Sequence, residues 1–280
     1  MTPDATGGAS DGADASGQTS GEAPELSLVI PCYNEAESIP YTLPGLCAAF
    51  AKAGRRLEIV AVDNGSRDAS AARIAELVAK GLPIRPVRVE VNQGYGFGLL
   101  SGIPHARGTW VGFIPADGQV DAEDVARLFE ALAPCGPLTL GKIRRRFRMD
   151  GWRRKLVSIV YNALVWCLWP GLGSIDVNGT PKIVHRSVLA RMQLESRRWF
   201  FDPELLIKAH YLGVRVLELN AFARMRGRGE SNVRATTCWE FFRELLRYRF
   251  TGHLGPWKRS ACGGPGQGEP GRSGGSGSGA

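Results

Sequence analysis

Between residues 26 and 132, short apolar runs alternate with stretches of helical spacing. The runs LSLVIP, LEIVAVD, IRPVRVE and TWVGFI are rich in β-branched residues, as expected of strands buried on both faces. Between them, 36–53, 68–80 and 94–106 carry helical spacing, and a fourth helix is expected after Asp121. Strands alternating with helices predict an α/β fold: a Rossmann-like, doubly wound, mostly parallel sheet with helices on both faces. Ligands of such sheets sit beyond the carboxyl ends of the strands.

Polar residues gather at those ends. Tyr33, Asn34 and Glu35 follow the first run, Asp63, Asn64 and Ser66 the second, and Asp117 and Gln119 the fourth. One acid at a strand end is commonly a helix cap; three converging acids predict a site. The third run leads into NQGYGFGLLSG, whose glycines do not form a dinucleotide fingerprint, because that motif belongs to the first strand–helix turn. Gly94, Gly96 and Gly98 are read instead as permitting a tight turn and close helix packing. In FIPADGQVDAED (113–124) an apolar strand ends in a short acidic loop of the kind that holds a divalent cation against a phosphate. Pro115 stands where the first of two carboxylates would be, leaving Asp117.

Composition sets the limits of the ordered part. Residues 1–24 and 262–280 are mostly small or polar and cannot bury enough apolar surface to offset chain entropy. One domain over 25–261 is therefore expected between two unstructured tails. The formal charge of +8 rises to +12 once the four acids of the first tail, Asp4, Asp11, Asp14 and Glu22, are set aside. Such a surplus suits a polyanionic partner. The acidic amino terminus does not read as a signal peptide, and no apolar run reaches the ~18–20 residues of a membrane span. Six cysteines without a CxxC pair fit reduced thiols in a cytoplasmic enzyme.

Beyond Leu140 the pattern changes. The stretch 141–155 holds eight bases against one acid and runs into the Trp-containing apolar stretch 156–169. A second basic and aromatic stretch, WEFFRELLRYRF, opens 239–259. Cations for headgroups beside indoles for the interface predict peripheral association of 141–169 and 239–259 with an anionic membrane surface, on its inner face. No nucleic-acid reader motif is present, and no specific nucleic acid is expected.

The segments IPCYNEAESI, AVDNGSRDAS, PADGQ and FDPELLIKAHYLGVRVLEL follow one another as in family 2 glycosyltransferases of GT-A fold. Within these the chain resembles the polyprenyl-phosphate glycosyltransferases, the group of dolichyl-phosphate mannosyltransferase. WRRKLVSIVYNALV is similar to that group's Arg-x-x-x-Ser-x-x-x-Asn segment, at Arg154, Ser158 and Asn162, and ARMRGRGESN to its Arg-x-x-Gly-x-Ser-Lys segment, at Arg226, Gly229 and Ser231. The resemblance implies a nucleotide-sugar donor held by Pro31, Tyr33, Glu35, Asp63, Asn64 and Asp117, and transfer, with inversion, to a polyprenyl phosphate. It departs at Pro115, at Asn64 in place of a second acid, and at Asn232 in place of a lysine.

Chemistry sharpens these expectations. Mg²⁺ or Mn²⁺ takes oxygen ligands and commonly combines one or two carboxylates with substrate phosphates and waters, so Asp117 and the Gln119 side-chain oxygen are expected to suffice once a diphosphate is present. A phosphate monoester acceptor arrives largely as a dianion, because its second pKa is about 6, and needs cations rather than a base. Lys142, Arg144, Arg154, Ser158 and Arg226 are the candidates for that contact. A hydroxyl acceptor would need a general base, for which Asp202 and Glu204 are the candidates, each also readable as a helix cap. A third reading, a non-catalytic α/β domain that binds anionic lipid, stays open.

Overall fold

In the computed structural model the seven strands found among the described residues join one sheet, in the order β3-β2-β1-β4-β6-β5-β7. The structure describes residues 23–146, 152–222 and 235–262. The four apolar runs form β1 (Leu26–Cys32), β2 (Leu57–Asn64), β3 (Ile84–Val89) and β4 (Trp110–Phe113). Every residue of β1, β2 and β4 is buried, as a parallel sheet covered on both faces requires. By contrast β3 alternates and contains Pro86, which fits an edge strand where one side of the ladder is free. The helices between them are α1 (Ile39–Lys52), α2 (Ser70–Ala79), α3 (Tyr95–Gly102) and α4 (Ala122–Leu132). Asp121 caps α4, its side chain accepting the Glu123 N–H.

The second half was less legible. The basic stretch after Leu140 opens as β5 (Thr139–Arg146), which pairs in parallel with β7 (Arg215–Phe222). Between β4 and β5 lies the short β6 (Lys182–His185), antiparallel to both. Helices α5 (Trp152–Leu168), α6 (Arg186–Met192), α7 (Phe201–Tyr211), α8 (Ala235–Phe250) and α9 (Leu254–Cys262) complete the described chain. α3, α5, α7, α8 and α9 contribute to the core on one face of the sheet, and α1, α2 and α4 to that on the other.

The two ends of the strands carry different kinds of acid. At the amino end Glu58 is buried and accepts hydrogen bonds from Ser27 Oγ (2.7 Å), the Arg107 N–H (2.9 Å) and Arg107 Nε (2.8 Å). Burial alone would raise its pKa; the Ser27 and Arg107 hydrogen bonds overcome this and hold the carboxyl below its ordinary range. This acid is structural. The acids at the carboxyl end form the candidate site.

Candidate functional site

The loops after β1 and β2 are laced to each other. Asn34 turns the chain in the left-handed region (φ 55°), which Asn tolerates better than most residues. Its N–H donates to Ser66 Oγ (3.2 Å), and its Oδ1 accepts the Arg67 N–H (3.0 Å). The Glu35 N–H donates to Ser70 Oγ (2.9 Å) and the Ala36 N–H to Asp68 Oδ2 (3.1 Å). Pro31 is buried, while Tyr33 and Glu35 are half-buried. Asp63 is buried; its Oδ1 accepts the Ser66 N–H (3.0 Å), and Arg88 Nη1 lies 3.9 Å from Oδ2. Asn64 spends its amide on the neighbouring loop, Nδ2 donating to the Gly94 carbonyl at 3.0 Å. An acid at this position would set a carboxylate against that carbonyl, which accounts physically for the amide.

After β4, the Thr42 hydroxyl donates to the Ala116 carbonyl (3.1 Å) and pins the PADGQ loop to α1. Gly118 takes φ +64°, and Asp117 Oδ1 accepts the Gln119 N–H at 3.2 Å. Both side chains are half-buried at the carboxyl edge. Among the described residues no three His, Cys, Asp or Glu side chains group as a complete metal site. One carboxylate and one amide oxygen are nevertheless the hard, oxygen-only donors that suit Mg²⁺ or Mn²⁺ when a diphosphate supplies further oxygens.

The other half of the edge holds buried ion pairs. Lys142, expected to meet a phosphate, is fully buried: its ammonium donates to Glu218 Oε1 (3.0 Å), Ser174 Oγ (3.0 Å) and the Asp176 carbonyl. The cause is strand register, since β5 turns Lys142 to the same face as Leu140 beneath α5 and α7. Arg144, two residues on, is half-buried. Asp202 is no helix cap; it lies inside the first turn of α7 and pairs with Lys182 Nζ at 2.5 Å. Burial lowers the pKa of Lys182 to about 8 against the attraction of Asp202, and the nearby charge of Lys142 pushes the same way as burial. Burial also raises the Tyr161 phenol, with a smaller contribution from Asp202.

Glu204 is likewise occupied. It ion-pairs with Lys208 (2.7 Å) and accepts the main-chain N–H groups of Glu195 (3.1 Å) and Ser196 (2.8 Å). A general base needs an oxygen within reach of the proton it takes; here both carboxylates are engaged in ion pairs.

Asn162 Oδ1 accepts the Val177 N–H (3.1 Å) and steadies the loop before β6. Arg154 and Ser158 fall in the first turns of α5, but their side chains lie outside those described; Arg226, Gly229, Ser231 and Asn232 lie outside the described residues altogether. Sequence reasoning missed Lys182, Ser174, Asp176 and Glu218. The Glu204–Lys208 pair was visible in its spacing of four within a helix; the 20-residue separation of Lys182 and Asp202 gave no such sign.

The helices α5 and α8 run alongside each other, with Tyr161 edge-on to Phe242 and Arg249 Nε donating to the Leu168 carbonyl (3.2 Å). Ile159, Val160 and Trp166 of α5, Ile175 beyond it, and Leu246 and Phe250 of α8 are exposed, as are Arg243, Arg247 and Arg249. Among the described residues no helix is long and apolar enough to cross a membrane.

Comparison with known proteins places this edge among relatives. The sequence is similar to undecaprenyl-phosphate 4-deoxy-4-formamido-L-arabinose transferases: 31% identical over 207 residues to that of Aeromonas hydrophila subsp. hydrophila, covering 74% of this chain and 62% of the relative. For that of Pseudomonas paraeruginosa the identity is 33% over 226 residues, covering 79% and 64%. The chain thus spans less than two thirds of the length of these relatives. Among solved structures, glucosyl-3-phosphoglycerate synthase from Mycobacterium tuberculosis in complex with phosphoglyceric acid shares the fold, with a TM-score of 0.64 at 20% identity over 81% of this chain and 80% of that one. Its complex with Mn²⁺, UDP-glucose and phosphoglyceric acid gives 0.62 at 20% identity over 87% and 81%. The mostly parallel sheet expected from the strand pattern and the GT-A fold implied by the resemblance are therefore both present. The sequence model described as Glycosyl transferase family 2 matches residues 27–192, from β1 through the PADGQ loop to the end of α6, and on that match the chain belongs to glycosyl transferase family 2.

Proposed function

We propose that this chain transfers a sugar from a nucleotide-sugar donor to a polyprenyl phosphate at an anionic membrane surface. The observation that carries the reading is a carboxyl edge with two unlike halves. Asp63 and Asp117 stand on one side, and a helix exposing Ile159, Val160 and Trp166 beside Arg-rich α8 stands on the other. The relatives named above, undecaprenyl-phosphate sugar transferases, support it.

Pro31, Tyr33, Glu35, Asp63 and Asn64 form the donor wall, with Asp63 accepting from the base or ribose. Asp117 and Gln119 would hold Mg²⁺ or Mn²⁺, which offsets the charge of the departing diphosphate as a Lewis acid. The acceptor needs no base, because its dianion is already the nucleophile above pH about 6. Arg144, Arg154 and Arg226 orient it through charge-assisted hydrogen bonds. The exposed apolar residues of α5 and α8 meet the lipid, and their arginines its headgroups. A hydroxyl acceptor served by Asp202 or Glu204 is disfavoured, since both carboxylates are buried in ion pairs.

The test pairs UDP-sugars with a short prenyl phosphate and compares two variants. Arg154→Ala should lose roughly ten- to hundredfold in rate, the value of a charge-assisted hydrogen bond tightened in the transition state. Asp202→Asn, in protein that remains folded, should lose far less. A severe kinetic defect in Asp202→Asn with a mild one in Arg154→Ala would hand the reaction to a hydroxyl acceptor.

A further inference from the structure

α3 begins at a residue that cannot cap it. Gly94 has no side chain, and no side-chain cap bond is made there, although the first N–H groups of any helix need partners. The partner comes from far along the chain: the Phe97 N–H donates to the Arg197 carbonyl at 2.6 Å. The contact is close because two glycines allow it. A Cβ on Gly96 would stand 2.1 Å from the Ser196 carbonyl oxygen and 2.7 Å from that of Arg198, and one on Gly94 2.7 Å from that of Arg197. Tyr95 stacks on Trp199 with ring centroids 5.1 Å apart. The backbone of 196–198 is therefore the cap and seat of α3.

Something must hold that backbone, and Glu204 does. Its buried carboxylate gathers the Glu195 and Ser196 N–H groups while pairing with Lys208, whose Nζ also donates to the Gln193 carbonyl (2.8 Å). The other end of the contact reaches the donor wall. The Cβ space of Gly98 is filled by the Asn64 side chain and Pro31 Cβ at 3.0–3.1 Å, and Asn64 Nδ2 is bonded to the Gly94 carbonyl. The chain of contacts runs from Glu204 through Ser196–Arg197 to α3, and from α3 to Asn64 and Pro31.

We propose that Glu204 is a positioning residue for the donor pocket: it fixes segment 195–198, which caps α3 and thereby sets the wall formed by Pro31 and Asn64. This rests on the reading of that wall as the nucleotide site. It gives the buried acid a task on the donor side of the reaction, where a general base would act on the acceptor.

The experiment attacks the same contact from both sides, in the full chain. Glu204→Gln keeps the shape but loses the ion pair and turns an NH₂ toward main-chain donors. Gly96→Ala leaves α3 with a better helix former but pushes segment 196–198 away. Binding of UDP is measured by calorimetry, and turnover at saturating donor with a short prenyl phosphate acceptor. Both variants should bind UDP about tenfold more weakly, the scale of one lost hydrogen bond to a charged group. Turnover at saturating donor and the KM for the acceptor should stay near wild type. If Glu204 is instead a base, Glu204→Gln should lose about 10²–10⁴-fold in turnover with UDP binding intact, and Gly96→Ala should be silent. That pattern overturns the proposal, as does unchanged UDP affinity in both variants. Should Glu204→Gln not fold, Gly96→Ala decides alone, unchanged UDP affinity in it overturning the proposal. Failure of the wild-type chain to bind UDP, GDP or CDP would overturn the donor reading itself.

Discussion

Replacing Lys182 by methionine strips Asp202 of its ion-pair partner inside the protein. The Lys182 side chain has no exposed area and that of Asp202 is 9% exposed, with their charged atoms 2.5 Å apart. Removing one member of a buried pair costs about 3–5 kcal/mol, because the remaining charge has no compensation. An orphaned carboxylate can also escape by taking up a proton. From a reference pKa near 3.9 to pH 7 that costs about 4 kcal/mol, which sets the ceiling. At roughly 2–4 °C per kcal/mol for a domain of this size, the melting temperature should fall by about 6–16 °C.

The double variant Lys182→Met/Asp202→Leu should recover most of the loss, since apolar replacement of a whole buried pair is commonly neutral. Urea and thermal melts of the four proteins close the cycle. A single variant within about 1 kcal/mol of wild type, or a double variant no better than Lys182→Met, would refute the reasoning. The rescued double variant also gives a stable protein without Asp202, in which retained transfer excludes that residue as a base.

Three further outcomes are expected. Asp117→Asn should abolish metal-supported transfer, while Pro115→Asp stays active and binds Mn²⁺ more tightly; full activity of Asp117→Asn in excess chelator would remove the metal from the account. Flotation with phosphatidylglycerol-containing vesicles should fall steeply with salt, since each base at an anionic surface contributes about 1 kcal/mol under screening, and Trp166→Ser/Phe250→Ser should weaken it further; salt-resistant flotation, or none, would oppose the surface reading. Glu58→Gln should cost roughly 1.5–3 kcal/mol at pH 7, the value of hydrogen bonds to a charged group. Because the folded pKa of Glu58 lies below its ordinary 4.5, that stabilisation is complete above the unfolded pKa and is lost as pH falls through the folded one; an acid melt equally steep in Glu58→Gln would refute it.

How much of this could be read in the chain depended on how local its cause was. β1, β2 and β4 are buried on both faces, so their apolar runs stand out without context. The loops after them were legible for the same reason: Asp63, Asn64 and Asp117 sit where a buried strand has no use for acid or amide. β5 was hidden because Lys142 interrupts it, and a charge within a buried strand is tolerable only with distant partners: Ser174, Asp176 and, 76 residues away, Glu218. β6, with four residues, is too short for its period to be read. Gly94 and Gly96 announced a close approach but not its partner, because the backbone of 196–198 arrives from beyond the sheet.

The buried pairs also bear on how the proposed anionic acceptor would be met. Lys142, Lys182 and Lys208 are interior cations near or behind the second half of the edge, and a basic sequence invites assigning them to a phosphate. Each is already matched: Lys142 with Glu218, Lys182 with Asp202 and Lys208 with Glu204. A phosphate dianion drawn to any of them would have to displace a carboxylate and lose its own hydration, at a cost of several kcal/mol per buried ion. Their long-range field is cancelled as well, because each pair is neutral. With these three set aside, the +12 surplus of 25–261 acts chiefly through the arginines, which far outnumber the remaining lysines. Those of α8 are exposed at the surface, where guanidinium is more weakly hydrated than ammonium and binds phosphate through two parallel hydrogen bonds. On this argument Lys142→Met should damage folding rather than acceptor binding, and substitution of the rim arginines should do the reverse.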